Sequence, residues 1–397
     1  MISVEQALAH VLALAPAPHP ETVALEHAHG RVLLEPAVAA VTQPPFDASA
    51  MDGYALRRAD LPGPLDVIGT SAAGHPWTGE ARPGTAIRIF TGAPVPAGYD
   101  HVELQENILR DGDRITVQTR STGSNIRARG NDFAAGDRME PGRILGAAQI
   151  GLLAAMNVAQ VTVARAPQVV ILAGGDELVP PGTTPAPGQI ISSNDLALAA
   201  LAREAGAVPR ILPIARDTPD SLRDSFRAAE GADLLVTIGG ASVGDHDLVA
   251  KIAAEQGIVR SFYKVALRPG KPLMAGQMGA GAMLGLPGNP VSAMVCGVLF
   301  MQPLIRAMLG LEPGPLIRTA LLGRDLPAEG PRQHYLRASL AGADDLPQIT
   351  PYDDQDSARL TVMSDADALL IRPPEDPARK AGDRVSYIAL RSDVLPH

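Results

Sequence analysis

The segment 234–247, LLVTIGGASVGDHD, constrains the fold of this chain more than any other part of it. It starts as a run of apolar and β-branched residues, which predicts a strand buried on both faces, as in a parallel sheet. Closely spaced small residues then break the strand before Asp247 and a predicted helix. Such a turn lets backbone N–H groups approach a phosphate at the start of a helix. The predicted anion-binding residues of this turn are Gly239, Gly240, Ser242 and Gly244.

Two other segments have the same organisation. QVVILAGGDEL (168–178) is a strand that breaks into two glycines and the acid pair Asp176 and Glu177. MLGLPGNPVSA (283–293) is a strand followed by a turn and a helix start, with Asn289 as N-cap. Because loops at the carboxyl ends of strands line the ligand crevice of an open α/β sheet, we expect the three turns to form one anionic-ligand site. The third turn adds the candidates Pro287, Asn289 and Pro290.

Composition limits the possible functions. The chain has 397 residues, which predicts two or three domains. Its net charge is −9, which argues against a general affinity for nucleic acid or acidic lipid. Only 3% of the residues are aromatic, so base-stacking surfaces are not expected.

The single cysteine and the N-terminus also carry information. Cys296 has no partner for an internal disulfide, and its apolar context, VSAMVCGVLF, predicts a buried structural thiol rather than a nucleophile. The N-terminus lacks a basic n-region, and no apolar run reaches about 18 residues. We therefore expect no signal peptide, no membrane span and a cytoplasmic location.

The remaining patterns divide the chain. Residues 3–14 repeat apolar positions at helical spacing behind Ser3, and residues 145–156 predict a second helix that ends at Asn157. TQPPFDASAMDGYAL is rich in turn residues and predicts an irregular loop rather than a helix or ladder. Short β-like runs indicate an all-β module over 60–133.

Residues 168–310 alternate strand and helix, which predicts a parallel sheet with helices on both faces. After Pro313 the chain returns to short strands with turn signals. This part predicts a C-terminal β-barrel or sandwich of about 80 residues.

Charged residues flank the predicted turns. Asp176 and Glu177 suit Mg²⁺ among phosphates, although solvated loop acids are common. YKVALRPGKP supplies Lys264, Arg268 and Lys271, which read either as a solvated face or as the counter-charge for a polyanion. Arg337, in PRQHYLR, adds to that charge.

A hydrolase is the competing interpretation of the first turn. The residues from Gly240 to Gly244 match the G-x-S-x-G nucleophile elbow, which needs an Asp and a His downstream. His334 and Asp353 fall in the separate C-terminal β region. The sequence therefore favours a phosphate-binding loop over a nucleophilic serine.

Seven motifs, taken together, resemble a known family, the molybdopterin molybdenumtransferases. This is the bacterial MoeA family, which is related to the E domain of gephyrin, and the resemblance covers almost the whole chain. The motifs, in this order and spacing, are PPFDASAMDGYA, IFTGAPVP, NIRARGNDF, GGDEL, TIGGASVGDHD, VALRPGKP and GLPGNPVSA.

The resemblance implies an α/β multidomain homodimer with four domains per subunit. We expect a discontinuous N-terminal domain (1–42 and 134–165), an inserted β domain (43–133), a central molybdopterin-binding α/β domain (166–313) and a C-terminal β-barrel (314–397). The family hydrolyses adenylylated molybdopterin with Mg²⁺, releases AMP and inserts molybdate into the dithiolene. Its cleft lies between the α/β domain of one subunit and parts of the other. Transient contacts with molybdopterin adenylyltransferase and with acceptor molybdoenzymes follow from that role.

The resemblance also implies residue roles. The positions that match the family's catalytic residues, together with two bases of the VALRPGKP region, are Asp52, Asp132, Glu177, Asp217, Asp247, Lys264 and Arg268. The expected Mg²⁺ ligands are Glu177, Asp217 and Asp247. Binding of the pterin and molybdate is expected from the glycine turn, the third turn and Thr91, Asn194, Lys271, Arg337 and Ser357.

Three positions depart from the family pattern. Ala173 and Gly174 replace two hydroxyl residues that usually precede Gly-Asp-Glu. Arg268 stands where many members carry Lys, which keeps the charge but changes the donor geometry. The segment around Ser357 lacks the glycines that are common in bacterial members.

Two further functions remain open from the sequence. The first is adenylylation of molybdopterin by ATP, an activity whose enzymes share the α/β domain but usually lack the surrounding β domains. The second is a non-catalytic scaffold dimer, in which Glu177 and Asp247 would be dispensable.

Overall fold

The computed structural model describes residues 1–239, 248–342 and 346–390, and the chain separates into two compact units. The first unit combines Met1–Glu21 with the chain from Ala164 onwards, and the second is Thr22–Val163. The four-domain division drawn from the sequence stays a prediction.

The chain begins with helix α1 (Val4–Leu12), which starts at the predicted N-cap. The Ser3 hydroxyl accepts a hydrogen bond from the Gln6 N–H at 3.1 Å, and the Gln6 side chain accepts one from the Ser3 N–H at 3.0 Å. This reciprocal capping box satisfies two N–H groups that the helix itself cannot pair. The buried face of α1 consists of Val4, Ala7 and Val11.

The second unit is rich in strands, as the sequence predicted. Its strands and the two that connect it to the first unit are β1 (Pro20–Ala24), β2 (Ala37–Val38), β3 (Ala48–Ser49), β4 (Gly53–Leu56), β5 (Leu65–Ser71), β6 (Thr85–Ile89), β7 (His101–Leu104), β8 (Ile108–Asp111), β9 (Arg114–Val117), β10 (Ile126–Arg127), β11 (Arg138–Met139) and β12 (Gln160–Ala164). Six of them form one sheet in the order β7-β4-β6-β5-β9-β8. Helix α2 (Ala147–Ala155) ends before Asn157, whose φ of 62° confirms the predicted left-handed residue.

The predicted irregular loop was wrong for its last residues. Gly53–Leu56 is β4, which pairs antiparallel with both β6 and β7 and so has a strand on either side. All four residues are buried, so the strand lacks the alternation that marks a half-exposed strand. Gly53 does not mark a turn. The strand requires glycine at this position, because a Cβ would lie 1.9 Å from the carbonyl oxygen of Glu103.

A buried carboxylate fastens the segment after β9 to this sheet. Glu103 is fully buried and accepts hydrogen bonds from the Ser121 hydroxyl at 2.6 Å and from Asn107 Nδ2 at 2.7 Å. The Ser121 N–H and His101 Nε2 lie 3.0 and 3.1 Å from the other oxygen. Burial alone would raise the pKa of Glu103, but the hydrogen bonds from Ser121, Asn107 and His101 outweigh it and lower the pKa to about 2.

Glu103→Gln is therefore expected to lower the free energy of unfolding by about 2 kcal/mol, because the new amide donors face donors. The folded pKa lies below the ordinary value of 4.5, so the ionised form stabilises the fold fully above that pH. That contribution is lost as the pH falls toward 2. Urea unfolding at pH 7 and pH 3.5 should show a smaller difference between variant and wild type at the lower pH. The exposed Glu106→Gln is the control, and equal effects of the two substitutions would contradict the assignment.

The first unit is built on a mixed sheet. Its strands before the barrel are β13 (Gln168–Ala173), β14 (Leu178–Val179), β15 (Ile190–Ile191), β16 (Val208–Ile211), β17 (Leu234–Ile238), β18 (Val259–Tyr263), β19 (Leu267–Arg268), β20 (Met274–Met278) and β21 (Gly281–Leu286). Its helices are α3 (Asn194–Glu204), α4 (Pro219–Ala228), α5 (Leu248–Glu255), α6 (Pro290–Cys296) and α7 (Gln302–Met308).

The main sheet has the order β16-β13-β17-β21-β20-β18. The first four strands are parallel, as predicted. The last two are antiparallel, because β20 and β21 are joined by a two-residue turn that reverses the chain. One face packs against α4 and α5 through Leu222, Phe226 and Ile252.

Helices α6 and α7 join through the π-helical turn Gly297–Met301 into one apolar helix, Pro290–Met308. It is long and apolar enough to cross a membrane by composition, but 78% of its apolar window is buried inside the protein, as in a core helix. Asn289 occupies the N-cap position and Pro290 the first turn, as predicted, but the Asn289 side chain makes no capping hydrogen bond. Cys296 is fully buried and burial raises the pKa of its thiol, which confirms an inert structural cysteine.

The C-terminal part forms the predicted barrel. It contains β22 (Ile317–Leu322), β23 (Gln333–Ala341), β24 (Gln348–Pro351), helix α8 (Leu360–Asp365), β25 (Ala368–Arg372) and β26 (Arg384–Ala389). Strand β23 pairs with both β24 and β25, and this closes a barrel of five strands. Strand β19 adds to the outer edge of β23, so the basic segment is attached to the barrel.

Candidate active site

The three glycine turns meet at the carboxyl edge of the main sheet. The Gly174 N–H donates to the Ile238 carbonyl at 3.2 Å, and the Gly239 N–H donates to the Leu286 carbonyl at 3.1 Å. A Cβ on Gly239 would lie 3.1 Å from the Gly174 carbonyl oxygen. The predicted convergence is therefore confirmed for the described parts of the turns. Four predicted residues lie outside the described part of the chain: Gly240, Ser242, Gly244 and Asp247.

Three carboxylates, those of Asp176, Glu177 and Asp217, lie beside the glycine turn that follows β13. The Asp217 N–H donates to Asp176 Oδ1 at 3.4 Å, and the Gly175 N–H donates to the Ala215 carbonyl at 3.1 Å. Burial raises the pKa of Asp217, and the negative charges of Asp176 and Glu177 raise it further. The three acids lie in one small region, since Asp176 accepts a hydrogen bond from the Asp217 N–H and Glu177 is the next residue in the chain after Asp176.

Gly175 allows the Glu177 side chain to reach back over this turn. Its φ is +148°, and a Cβ there would lie 2.5 Å from a Glu177 carboxylate oxygen. A residue with a side chain at this position would therefore push Glu177 away from the site.

The donor set suits a hard cation. In the parts of the chain that the structure describes, no group of three or more His, Cys, Asp or Glu side chains is arranged to hold a metal. Mg²⁺ does not require such a group, because it usually binds one or two carboxylates and takes its other ligands from phosphates and water. Glu177 and Asp217 meet that requirement, and both remain exposed.

A cavity of about 590 Å³ adjoins the carboxylates. Leu178, Leu196 and Ile211 give it an apolar wall, and Asp176 and Arg216 contribute charged groups. This size and mixture of surfaces are typical of sites for small organic ligands.

The third turn is tied to two predicted binding residues. Asn194 Nδ2 donates to the Gly288 carbonyl at 2.7 Å, so the start of α3 holds the turn that follows β21. Asn289 Nδ2 donates to the Ser357 hydroxyl at 3.0 Å, and the Val291 N–H donates to the Ser357 carbonyl at 3.1 Å. Ser357, predicted from a segment without the usual glycines, therefore lies beside the start of α6. Pro287 and Pro290 flank this contact in the chain.

The basic segment runs from the sheet to the barrel. Arg268 pairs with His334 across β19 and β23, and the Lys271 carbonyl accepts a hydrogen bond from the Val265 N–H at 3.1 Å. The residues Arg268 and Lys271 are exposed. Lys264 has a φ of 71°, and its Nζ lies 5.2 Å from the centre of the Tyr263 ring.

Arg337 was predicted as a binding residue, but its burial was not predicted. Its side chain is 0% exposed. Nη2 donates to the Asp356 carbonyl at 3.0 Å, but Nε and Nη1 have no hydrogen-bond partner among the described residues. Burial lowers the pKa of Arg337, and the charge of Arg268 lowers it further, against the opposing effect of Asp354 and Asp356. Two unpaired buried donors on a cation are costly and mark Arg337 as a candidate anion receptor.

The second unit brings two of its three predicted residues together. Asp52 Oδ1 accepts hydrogen bonds from the Thr91 N–H at 2.7 Å and from the Thr91 hydroxyl at 2.8 Å. These two hydrogen bonds lower the pKa of Asp52, and the bond from the Thr91 N–H has the larger effect. The charge of Arg88 lowers the pKa further. Asp132 lies on a separate loop of the same unit, where its N–H donates to the Gln43 carbonyl at 3.1 Å.

Thr91→Val should raise the pKa of Asp52 only part of the way to its ordinary value, because the backbone N–H remains. Carboxyl carbon chemical shifts followed through a pH titration measure this change. Thr70→Val, an exposed threonine of β5, is the control. An unchanged pKa of Asp52 would show that the hydroxyl contact does not form.

The structure disfavours the hydrolase interpretation. His334 Nδ1 lies 3.0 Å from Glu329 Oε1, and Asp353 pairs with Arg324 inside the barrel region. The candidate acid Asp353 thus pairs with Arg324 and not with His334, so these two residues do not form the acid–histidine pair of a triad. Ser242 itself lies outside the described residues.

Gln355 was not among the residues predicted from the sequence. Its side chain bonds to the backbone of Arg337, 18 residues away, and no local pattern predicts such a contact. Asp176, which the sequence predicts with Glu177 as an acid pair suited to Mg²⁺, also contacts the Asp217 backbone through its carboxylate.

Glycine turns, carboxylates and basic residues at one edge of an α/β sheet define a class of protein, the enzymes that process phosphorylated ligands. Comparison with known proteins identifies a family within this class. The MoeA N-terminal region (domains I and II) matches residues 2–157, a probable molybdopterin binding domain matches 170–307, and the MoeA C-terminal region (domain IV) matches 319–390.

Full-length relatives agree with these matches. A molybdopterin molybdenumtransferase of Nostoc sp. is 36% identical over 93% of this chain and 88% of its own length. Another, from Bacillus subtilis, is 33% identical over 99% of this chain and 95% of its own. A crystal structure of a molybdopterin biosynthesis MoeA protein from Pyrococcus horikosii superposes with a TM-score of 0.85 at 29% identity, over 99% of this chain and 100% of that one. This chain belongs to the MoeA family.

Proposed function

We propose that this protein is the molybdenum insertase of molybdenum cofactor biosynthesis. It hydrolyses adenylylated molybdopterin, releases AMP and inserts molybdate into the dithiolene. The observation that carries this proposal is the meeting of three glycine turns with Asp176, Glu177 and Asp217 at one sheet edge, in a chain of the MoeA family.

Different residues are proposed to bind the phosphates, to supply counter-charge and to hold the metal at the phosphoanhydride. Backbone N–H groups that follow Gly175 and Gly239 are proposed to bind phosphate oxygens, because the N–H groups of these two glycines already donate to the Ala215 and Leu286 carbonyls. Lys264 and Arg268 supply counter-charge. Glu177 and Asp217, with Asp247, would hold Mg²⁺. When bound, that ion polarises the phosphoanhydride toward attack by water.

The same site receives molybdate. Molybdate is a tetrahedral dianion, and Arg337 presents two unpaired N–H donors beside the charge of Arg268. Lys271 and the Ser357 hydroxyl complete the proposed receptor. Asp52, Thr91 and Asp132 of the second unit are proposed to serve the same reaction.

The test of this function uses purified protein, adenylylated molybdopterin, molybdate and Mg²⁺. AMP and active molybdenum cofactor should appear together, the cofactor being detected by reconstitution of an apo-molybdoenzyme. Absence of AMP under conditions in which an established insertase works would refute the proposal. Transfer of AMP from ATP to molybdopterin would instead support the adenylyltransferase, which the MoeA regions on both sides of the α/β domain disfavour.

We also propose a homodimer that uses helix α2. Its sequence, AAQIGLLAA, has no charged residue, yet only Leu153 is buried within the chain. Leu152 is 39% exposed and Ile144, just before the helix, is 49% exposed. An uncharged apolar helix face of this kind is typical of a subunit interface.

Leu152→Glu should therefore convert the protein from dimer to monomer, because the interface would bury an unpaired charge. Sedimentation or light scattering measures the mass. Leu316→Glu, at an exposed leucine outside α2, is the control and should leave the dimer intact. A wild-type monomer, or a dimer that survives Leu152→Glu, would contradict the interface.

The remaining proposals concern the cell. We place the protein in the cytoplasm, in transient contact with molybdopterin adenylyltransferase and with acceptor molybdoenzymes. Fractionation and crosslinking during cofactor synthesis test these two proposals.

A further inference from the structure

Gln355 lies in the loop between β24 and α8 and pairs with the backbone of β23. Its Oε1 accepts a hydrogen bond from the Arg337 N–H at 3.0 Å. Its Nε2 donates to the Arg337 carbonyl and to the Tyr352 carbonyl, both at 2.9 Å. The register of β24 ends at Pro351, opposite Ala338, and the Tyr352 N–H still donates to the Arg337 carbonyl at 3.0 Å. The Gln355 amide adds an acceptor for the Arg337 N–H and a second donor to the Arg337 carbonyl.

The same loop contacts the candidate active site. Arg337 Nη2 donates to the Asp356 carbonyl at 3.0 Å, which fixes the guanidinium against the loop. One residue later, Ser357 accepts hydrogen bonds from Asn289 through its hydroxyl and from the Val291 N–H through its carbonyl. The loop 352–358 therefore connects the buried Arg337 to the third turn.

We propose that Gln355 is a positioning residue that holds Arg337 and Ser357 in one fixed arrangement for an oxyanion substrate. The inference rests on the proposed function, in which these two residues receive molybdate. Gln355 does not touch the oxyanion. It acts by fixing the backbone of Arg337 on one side and the loop that carries Ser357 on the other.

The chemistry of the amide makes this role specific. Only a side chain with both a donor and an acceptor can pair with the N–H and the carbonyl of the same residue. A carboxylate would keep the acceptor but would set an oxygen against the carbonyls of Arg337 and Tyr352. Loss of the three bonds frees the loop, so the oxyanion must order it on binding, and the affinity falls.

The variants are Gln355→Met, which keeps the length of the side chain without its hydrogen bonds, and Gln355→Ala. Gln277→Ala is the matched control, because Gln277 Nε2 also donates to two backbone carbonyls, those of Gly279 and Gly281, in a hairpin turn. Calorimetry gives the dissociation constant for molybdate, and hydrogen exchange reports on the backbone of residues 352–358. Turnover gives KM for molybdate separately from kcat.

Both Gln355 variants should weaken molybdate binding about tenfold, raise KM by a similar factor with kcat nearly unchanged, and speed exchange in the loop. Gln277→Ala should change none of these. The inference is overturned if the loop exchanges faster but molybdate binds as in the wild type, or if Gln277→Ala has the same effect. If the wild type and Arg337→Met bind molybdate equally, the proposed receptor is wrong; that result differs from a failure confined to Gln355.

Discussion

Glu177→Gln and Asp217→Asn are each expected to reduce AMP release from adenylylated molybdopterin by at least about 100-fold. Each substitution removes one of the two described carboxylates that would hold Mg²⁺ beside the glycine turn after β13. Neither should unfold the protein, since both side chains are exposed. The measurement is the rate of AMP release at saturating Mg²⁺, together with the melting temperature.

The melting temperature separates lost chemistry from lost structure. Because the pKa of Asp217 is raised in the folded protein, its protonated form is favoured there and its ionised form costs stability at neutral pH. Asp217→Asn should thus melt at the same temperature as the wild type or higher. Asp220→Asn, at an exposed acid in the first turn of α4, is the control and should retain activity. Full activity of Asp217→Asn would contradict the assignment.

The pH dependence follows from the same cause. A carboxylate must be ionised to bind a cation, and the pKa of Asp217 is raised above the ordinary aspartate value. AMP release should therefore fall on the acid side at a higher pH than a solvent-exposed aspartate would give. Asp176→Asn removes one of the repelling charges and should move that fall to lower pH.

Arg337→Met is expected to reduce molybdate insertion about 100-fold while AMP release stays within a few-fold of the wild type. The substitution removes the buried guanidinium whose Nε and Nη1 have no partner among the described residues. Methionine has a similar length and suits a buried position, so the cost to stability should be small. The two products, AMP and metallated cofactor, are measured in the same reaction.

Arg384→Met, at an exposed arginine of β26, is the control for loss of a barrel charge. It should change neither product. Equal losses of AMP release and insertion in Arg337→Met, with an intact fold, would show that Arg337 serves the phosphoanhydride rather than molybdate.

The predictions that succeeded depended on local signals. Ser3 marks a helix start through capping, Asn289 marks another by its place before Pro290, and Asn157 marks a helix end through its left-handed conformation. The three turns were recognisable because glycines follow buried apolar runs, and parallel strands bring their carboxyl ends to one edge.

The predictions that failed or were missing depended on distant contacts. Gly53 was taken for part of a loop because the close approach of Glu103, 50 residues away along the chain, is invisible in the sequence. The burial of Glu103 and its bond to Ser121 depend on the pairing of β4 with β7. The sequence does not distinguish Gln355 from a surface glutamine, because its partner Arg337 lies 18 residues away along the chain.

A crystal structure of the protein with AMP, molybdate and Mg²⁺ tests the central claim most directly. Phosphate oxygens are expected on backbone N–H groups that follow Gly175 and Gly239, with the metal on Glu177 and Asp217. Molybdate should lie within hydrogen-bond distance of Arg337. Ligands bound at another face of the sheet, with these turns empty, would contradict it.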